Sequence, residues 1–160
     1  FRLVGGMGYP IFIRLQMAVP RVRELIEEYQ SARSESGFAG RGGVNLLMPV
    51  YVADTEAQAL SEPEASAMRQ RRAVSDLLAT ASSQENYDRL KLVSEASYDE
   101  VLKGAIFGTP EAVTERILEL QTELGLDGLS LDMNPGGQIP KELVINSMRL
   151  LTEKVMPNFK

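Results

Sequence analysis

The chain is organised around the stretch Gly104-Ala-Ile-Phe-Gly-Thr-Pro-Glu-Ala-Val113, where regular structure restarts in the second half of the chain. Thr109 can cap a helix, and Pro110 suits the first helical position. Glu111 adds a negative charge where the helix dipole favours one. The stretch therefore predicts a strong helix start at residues 109–111.

A strand and a glycine loop follow this helix. Apolar residues recur at helical spacing after Val113, and Gly125 suits the end of the helix. Residues 126–133 have the composition of a strand, which runs into Asn134-Pro-Gly-Gly137. The order helix, strand and glycine loop is typical of an alternating α/β fold.

The rest of the chain extends the same alternation. Apolar runs predict two earlier strands, and helical spacing of apolar residues predicts further helices. The strands are expected at residues 9–14 and 44–53, and the helices at residues 20–36, 56–60, 64–80, 98–103 and from Pro140 onwards. Such alternation implies parallel strands joined by right-handed crossovers. Pro49, inside the second strand, predicts a bulge or a local irregularity.

Residues 61–104 interrupt this order. Their periodicity is weak, although Ala65, Met68 and Leu77 are expected on one side of a helix, and residues 82–86 are polar and break the pattern. Connections of this length are uncommon in alternating folds and are often lids or binding loops. We therefore interpret the segment as a mobile excursion or lid, and an ordinary pair of surface helices is the alternative.

The composition narrows the kinds of site and partner that the protein can have. The 160 residues, 44% of them hydrophobic, are enough for one domain with a sizeable core, in which the scattered methionines are expected to fill gaps. The chain has 17 basic and 22 acidic residues, a net charge of −5, and neither histidine nor cysteine. No basic field for nucleic acid is visible, and no thiol chemistry, disulfide or metal site is expected. No apolar run is long enough to span a membrane and no signal peptide is recognisable, so a cytoplasmic location is expected.

Candidate ligand contacts lie where the predicted parallel strands end. Those places are residues 14–16, residues 54–55 and residues 134–137. Adjacent glycines let backbone amides approach a ligand, and an arginine can bind phosphate or carboxylate bidentately. The candidate cofactor contacts are therefore Asn134, Gly136, Gly137 and Arg14. A tight turn at the glycines and a rim ion pair at the arginine are the alternatives.

Other residues are weaker candidates for a functional role. Asp132 shares a face with Ser130 and Asn134 and is a candidate acid, base or buried cap, whereas Asp127 fits a turn. Tyr51 and Phe107 could line an apolar pocket, but ordinary core packing is the simpler interpretation. The glycine-rich residues 38–43 suggest a phosphate cradle, yet they follow a helix and precede a strand, which is the reverse of a P-loop. A surface connection is expected there.

Five pieces of the sequence together resemble the bacterial luciferase-like flavin-dependent monooxygenases, whose fold is a (β/α)8 barrel. They occur in the right order over nearly the whole chain. The pieces are Tyr9-Pro-Ile-Phe-Ile13, Val50-Tyr-Val-Ala-Asp-Thr55, Phe107-Gly-Thr-Pro-Glu111, Glu123-Leu-Gly-Leu-Asp-Gly-Leu129 and Ser147-Met-Arg-Leu-Leu-Thr-Glu-Lys-Val-Met-Pro157.

The resemblance implies the carboxyl-terminal part of such a barrel, with strands six, seven and eight, because a complete barrel needs about 250 residues. It implies an enzyme in which reduced FMN activates oxygen to oxidise a small organic substrate, with a flavin reductase as a possible partner. The excursion at residues 61–104 would be a lid over the flavin. Several of the family's flavin contacts come from earlier strands, so no catalytic residue is assigned, and this part alone is expected to be inactive.

Two alternatives stay open at this point. A deazaflavin-dependent oxidoreductase of the same barrel superfamily is not separable from these residues. A non-catalytic partial barrel that binds a ligand or a second copy of itself is the other alternative. Three parallel strands expose two sheet edges, and exposed edges invite pairing, so a homo-oligomer is expected.

Overall fold

The computed structural model describes residues 1–14 and 19–159. Met17, which the sequence predicts as a core residue, and residues 15–16 at the end of the first predicted strand lie outside the described residues. The described part divides into two compact units, residues 1–48 with 114–132 and residues 49–113 with 133–160. We describe each unit by itself.

Strands and helices alternate as the sequence predicts. The strands are β1 (Ile11–Arg14), β2 (Val44–Val52), β3 (Ile106–Gly108) and β4 (Gly128–Asp132). The helices are α1 (Arg2–Gly6), α2 (Val19–Glu35), α3 (Glu56–Ser61), α4 (Glu64–Ala73), α5 (Gln84–Ser94), α6 (Tyr98–Lys103), α7 (Pro110–Leu124) and α8 (Lys141–Leu150). A 3-10 segment, Val74–Thr80, follows α4, and a π-helical turn (Leu151–Val155) and a 3-10 turn (Met156–Phe159) continue α8.

In the first unit, the beginning of β2 pairs with β1 and β4 in a parallel sheet. One face of this sheet is buried: Ile11 and Ile13 lie beside Val44 and Leu46, and all four are less than one-tenth exposed. Helices α2 and α7 supply further buried side chains, which recur at helical spacing. These are Val22, Ile26 and Tyr29 on α2, and Ile117, Leu120 and Leu124 on α7.

Asp127 anchors the start of β2 in this unit. Its Oδ2 accepts a hydrogen bond from the Val44 amide at 2.8 Å, and its own amide donates to the Val44 carbonyl at 2.8 Å. The sequence predicts only a turn residue at this position. The carboxylate instead satisfies a backbone donor of a fully buried residue, which would be costly to leave unpaired.

The glycine-rich residues 38–43 connect α2 to β2, as predicted. The buried Arg33 ties the start of the connection to the turn before β1, since its guanidinium donates to the Gly8 carbonyl at 2.6 Å and packs on the rings of Tyr29 and Phe38. Gly42, at a φ of 77°, lies against the Tyr29 hydroxyl and the Arg33 side chain, where a Cβ would not fit.

In the second unit, the end of β2 pairs in parallel with β3, from Val50 opposite Ile106 to Val52 opposite Gly108. Strand β2 is continuous through Pro49. The missing amide donor falls between Leu47, the last residue paired with β1, and Val50, the first paired with β3. A proline is tolerated within a strand where its missing amide is not needed for a ladder bond.

The excursion is more helical than the sequence predicts. The polar residues 82–86 contain the start of α5, whose first turn is capped by the Ser83 side chain. The buried residues of α4 are Ser66 and Ala67, whereas Ala65 and Leu77 are exposed and Met68 is half-buried, so the side on which the sequence groups these three residues is not the buried one. Helix α5 has no buried residue, which explains its weak apolar periodicity. The sequence does not predict strand β3, because a strand of three residues is too short to show a periodic pattern.

The methionines are not uniformly core residues. Met48 is buried, whereas Met7, Met148 and Met156 are about half exposed. No helix in the described ranges has both the length and the apolar character that crossing a membrane requires.

Candidate functional site

The sheet of the first unit has one open face. Side chains alternate along β1, so that Ile11 and Ile13 are buried and Phe12 and Arg14 are exposed. The pairing register places Phe12 beside Asn45 and Arg14 beside Leu47, and both β2 residues are half-buried. Asn45 and Leu47 therefore lie on the open face with Phe12 and Arg14.

Strand β4 contributes to the same face. A Cβ built on Gly128 would lie 2.5 Å from Asn45 Oδ1, so Gly128 and the Asn45 side chain are on one side of the sheet. Alternation along β4 then puts Ser130 and Asp132 on that side, and both are half-buried. We name the set Arg14, Asn45, Ser130 and Asp132, with the apolar Phe12 and Leu47, the open polar face.

The open polar face offers hydrogen-bond donors and acceptors rather than a metal site. It combines a guanidinium, an amide, a hydroxyl and a carboxylate. The described residues contain no acidic or histidine cluster that could hold a metal ion. Sequence reasoning missed Asn45, although a lone amide within the longest apolar run was a usable signal.

Arg14 lies at the carboxyl end of β1, where the sequence places a ligand contact. Its side chain is exposed, and among the residues that the structure describes no acid forms an ion pair with it. The rim ion pair considered for this residue is therefore not seen in the described part. Arg14 shares the open polar face with Asn45, while residues 134–137 belong to the second unit.

The loop after β4 is held by hydrogen bonds within the second unit. Asn134 closes it, since its carbonyl accepts from the Gly137 amide at 2.8 Å and its Oδ1 accepts from the Ile139 amide at 3.0 Å. The buried Ser66 hydroxyl donates to the Pro135 carbonyl at 2.7 Å and accepts from the Gln138 amide at 2.9 Å. The amides of residues 137–139 thus have partners inside the protein.

The two adjacent glycines of this loop have different surroundings. Gly136, at a φ of 82°, lies so close to the Ser66 carbonyl that a Cβ would overlap it, and its own carbonyl accepts from Arg69 at 3.0 Å. Gly137 has a φ of 73° and no atom within 4 Å of the Cβ position. The close approach that the sequence predicts at Gly136 is made by helix α4, whereas Gly137 faces open space.

The end of β2 is closed by side chains and backbone of the second unit. The Val52 amide donates to Ser147 Oγ of α8 at 2.8 Å, and the Ala53 amide donates to the Gly108 carbonyl at 3.1 Å. Thr55 caps α3 through the Gln58 amide, as predicted, and Asp54 is exposed. Of the predicted site at residues 54–55, only Asp54 remains without an assigned structural role.

Tyr51 and Phe107 pack in the core rather than around a pocket. Their rings pack edge to face with the ring centroids 6.3 Å apart, in a cluster with Ala59 and Ile139. The buried Tyr51 hydroxyl donates to Glu62 Oε2 at 2.6 Å. Burial, followed by this hydrogen bond and the nearby carboxylate charge, raises the pKa of Tyr51 far above its ordinary value.

Tyr98 predicts a measurable alkaline transition. Burial, followed by the charge of Glu64, raises the pKa of Tyr98 to about 12, from an ordinary value near 10. The folded state therefore disfavours the phenolate, and its stability is expected to be fully present below about pH 10 and to fall as the pH rises through about 12. Urea unfolding at several pH values, with ionisation followed at 295 nm, measures this fall.

Two phenylalanine variants, one the test and the other its control, check this assignment. Tyr98→Phe should flatten the decline in unfolding free energy, and Tyr87→Phe, which removes an exposed phenol, is its control. Equal slopes in the wild type and Tyr98→Phe would contradict the role assigned to Tyr98.

Comparison with known proteins identifies the fold. No family model and no curated protein sequence matches the chain. Among solved structures, the monooxygenase RslO1 from Streptomyces bottropensis matches 99% of the chain at a TM-score of 0.69 and 19% identity. The oxygenating constituent of 3,6-diketocamphane monooxygenase from Pseudomonas putida, in complex with FMN, matches 99% at 0.67 and 19% identity. The coenzyme F420-dependent tetrahydromethanopterin reductase from Methanopyrus kandleri matches 99% at 0.64 and 15% identity.

These matches confirm the fold that the sequence predicts. The chain has the partial barrel fold of the luciferase-like flavin monooxygenases. It spans 44%, 45% and 48% of the length of the three solved chains. At these identities the likeness is one of fold.

Proposed function

We propose that the chain is part of a flavin-dependent monooxygenase that uses FMN to oxidise a small organic substrate. The fold match over 99% of the chain, to an enzyme solved with FMN among others, is the observation that carries the proposal. A deazaflavin-dependent oxidoreductase is the second form of the same proposal, and it is supported by the match to an F420-dependent reductase.

The open polar face supplies the side chains that fit such a cofactor. The exposed guanidinium of Arg14 suits a phosphate, and the Asn45 amide and Ser130 hydroxyl suit the heteroatoms of an isoalloxazine or deazaflavin ring. In the second unit, Asn134 and Gly137 remain proposed contacts, whereas Gly136 already packs on α4. When bound, the flavin or deazaflavin supplies the redox chemistry, and these residues bind and orient it.

The proposal also covers a lid over the cofactor, a partner protein and the activity of the chain alone. Within a single domain of residues 1–160, residues 61–104 are the proposed lid. Its movable part is α5, which has no buried residue, whereas Ser66 of α4 is hydrogen-bonded to the loop after β4. A flavin reductase that delivers reduced flavin is the proposed partner, and a bacterial, cytoplasmic protein is the proposed setting. The chain alone is proposed to be inactive, because it spans less than half of the matched enzymes.

Flavin binding by the 160-residue chain tests the proposal. We expect FMN fluorescence to be quenched on titration, and we expect Arg14→Ala to weaken FMN binding about tenfold while leaving riboflavin binding unchanged, because only FMN carries a phosphate. Arg2→Ala, an exposed arginine paired with Glu35 at 3.0 Å, is the control. Titration with F420 decides between the two cofactors.

A non-catalytic module that binds a ligand or a second copy is the alternative, and one observation favours it. Tyr9 and Phe12 are 63% and 68% exposed, and in the described part β1 pairs along one edge only, with β2. A chain that binds neither FMN nor F420 and yet self-associates would support this alternative and would overturn the enzyme proposal.

A further inference from the structure

Arg33 of α2 is a buried cation without a counter-charge. It is 7% exposed, and its Nη1 and Nη2 donate to the Gly8 and Ala39 carbonyls at 2.6 and 3.5 Å. In the described part of the chain no carboxylate pairs with it, and Glu35, the acid two residues further along, is exposed and pairs with Arg2 at 3.0 Å. A buried charge is costly unless an opposite charge accompanies it. The surroundings of Arg33 therefore favour an anionic partner.

One donor of this guanidinium is also unused. Arg33 Nε is buried and has no hydrogen-bond partner among the described atoms, and the same is true of Nε2 of Gln30, three residues earlier on α2. Nε faces the glycine-rich connection, because a Cβ built on Gly42 would lie 2.6 Å from it. Both unpaired atoms are N–H donors, so the group that would satisfy them is a hydrogen-bond acceptor.

The connection that Nε faces presents backbone amides. Along residues 39–42 the sign of φ alternates, since Gly40 and Gly42 have φ values of 73° and 77° and no described residue other than glycine has a positive φ. Within residues 1–14 and 19–159, no hydrogen bond is made by the amides of residues 39–42. A backbone of alternating handedness can turn successive amides towards one point and form an anion-binding concavity.

We propose that Arg33 and the amides of residues 39–42 form a binding site for a small oxyanion such as inorganic phosphate. The anion neutralises the guanidinium and accepts hydrogen bonds from it and from the loop amides. Nη2 is available for this contact, because its distance of 3.5 Å to the Ala39 carbonyl is at the limit of a hydrogen bond. The occupant is a small free anion, since little of Arg33 is accessible from outside.

This site differs from a P-loop and from the proposed flavin site. A buried arginine supplies its positive charge, whereas in a P-loop the loop leads into the amino end of a helix. It uses none of the residues of the open polar face, so it does not depend on the flavin function. Because the anion would bind the folded chain and not the unfolded one, the site makes the stability of the protein depend on the phosphate concentration.

Amide NMR spectra recorded during a phosphate titration test the site directly. The signals of residues 39–42 should shift saturably, with a dissociation constant of about 1 mM. Sodium chloride at equal ionic strength is the control for charge screening. Shifts at these amides no larger than those in chloride would overturn the proposal, whatever the behaviour of any variant.

Two methionine variants on α2 test the role of the guanidinium. In the wild type, about 10 mM phosphate should raise the folding equilibrium constant about tenfold, as measured by urea unfolding. Arg33→Met should lose this effect, whereas Arg21→Met removes an exposed arginine that pairs with Glu24 and should keep it. Arg14→Ala should also keep it, which separates this site from the proposed flavin-phosphate contact. Equal stabilisation of the wild type and Arg33→Met by phosphate would overturn the proposal.

Discussion

Gly136→Ala is expected to lower the free energy of unfolding by about 3 kcal/mol. The new methyl group would overlap the Ser66 carbonyl, and alanine would have to adopt a φ of 82°, which is unfavourable for any residue with a Cβ. The loop cannot easily move away, because the Ser66 hydroxyl and Arg69 bind its carbonyls at 2.7 and 3.0 Å. Urea denaturation followed by circular dichroism measures the loss.

Gly137→Ala is the matched control for this prediction. Gly137 has a similar φ of 73° but open space around the Cβ position, so the variant should lose about 1 kcal/mol, the backbone cost alone. The difference between the two variants isolates the contact with α4. Equal losses would show that the loop does not pack on Ser66 as described.

Ser147→Ala is expected to lower the free energy of unfolding by about 2 kcal/mol. Ser147 is 1% exposed, and its hydroxyl oxygen accepts the Val52 amide at 2.8 Å. Val52 is fully buried, so water cannot replace the lost acceptor, and its amide would be left unpaired. Besides the change in urea midpoint, native-state hydrogen exchange at the Val52 amide should become faster.

Ser61→Ala is the control for the loss of a helical serine. Ser61 is exposed at the end of α3, and its hydroxyl donates to the Ala57 carbonyl within the same helix. Its replacement should change the unfolding free energy by less than about 0.5 kcal/mol. If Ser147→Ala were equally mild, Ser147 would not be the acceptor that closes the end of β2.

Local sequence signals predicted the main elements well. The capping residues at positions 109–111 place the start of α7, and Gly125, at a φ of 60°, ends it. The sequence predicts strand β2 to within one residue of Val44–Val52, because few other secondary structures fit an apolar run of that length between turn signals. The excursion was harder, since α5 buries no residue and therefore carries little periodicity.

The candidate site was only partly predictable. The sequence indicates Arg14 by its place at a strand end. It does not indicate Asn45, because the apolar run at residues 44–53 predicts a strand that is buried on both faces. The register of β1 on β2 is what sets Asn45 beside Phe12 and so places it on the open polar face. Gly136 was recognised as a point of close approach, but the partner proved to be α4.

The order of the elements, their caps and the alternation along each strand follow from the sequence, because these features depend on residues close together in the chain. Tertiary packing sets which strand face stays open, and it brings Asp127 to the start of β2 and Ser147 to its end. Those contacts join residues more than 80 positions apart. No local propensity encodes such pairs, since which polar groups meet is settled only when the elements pack.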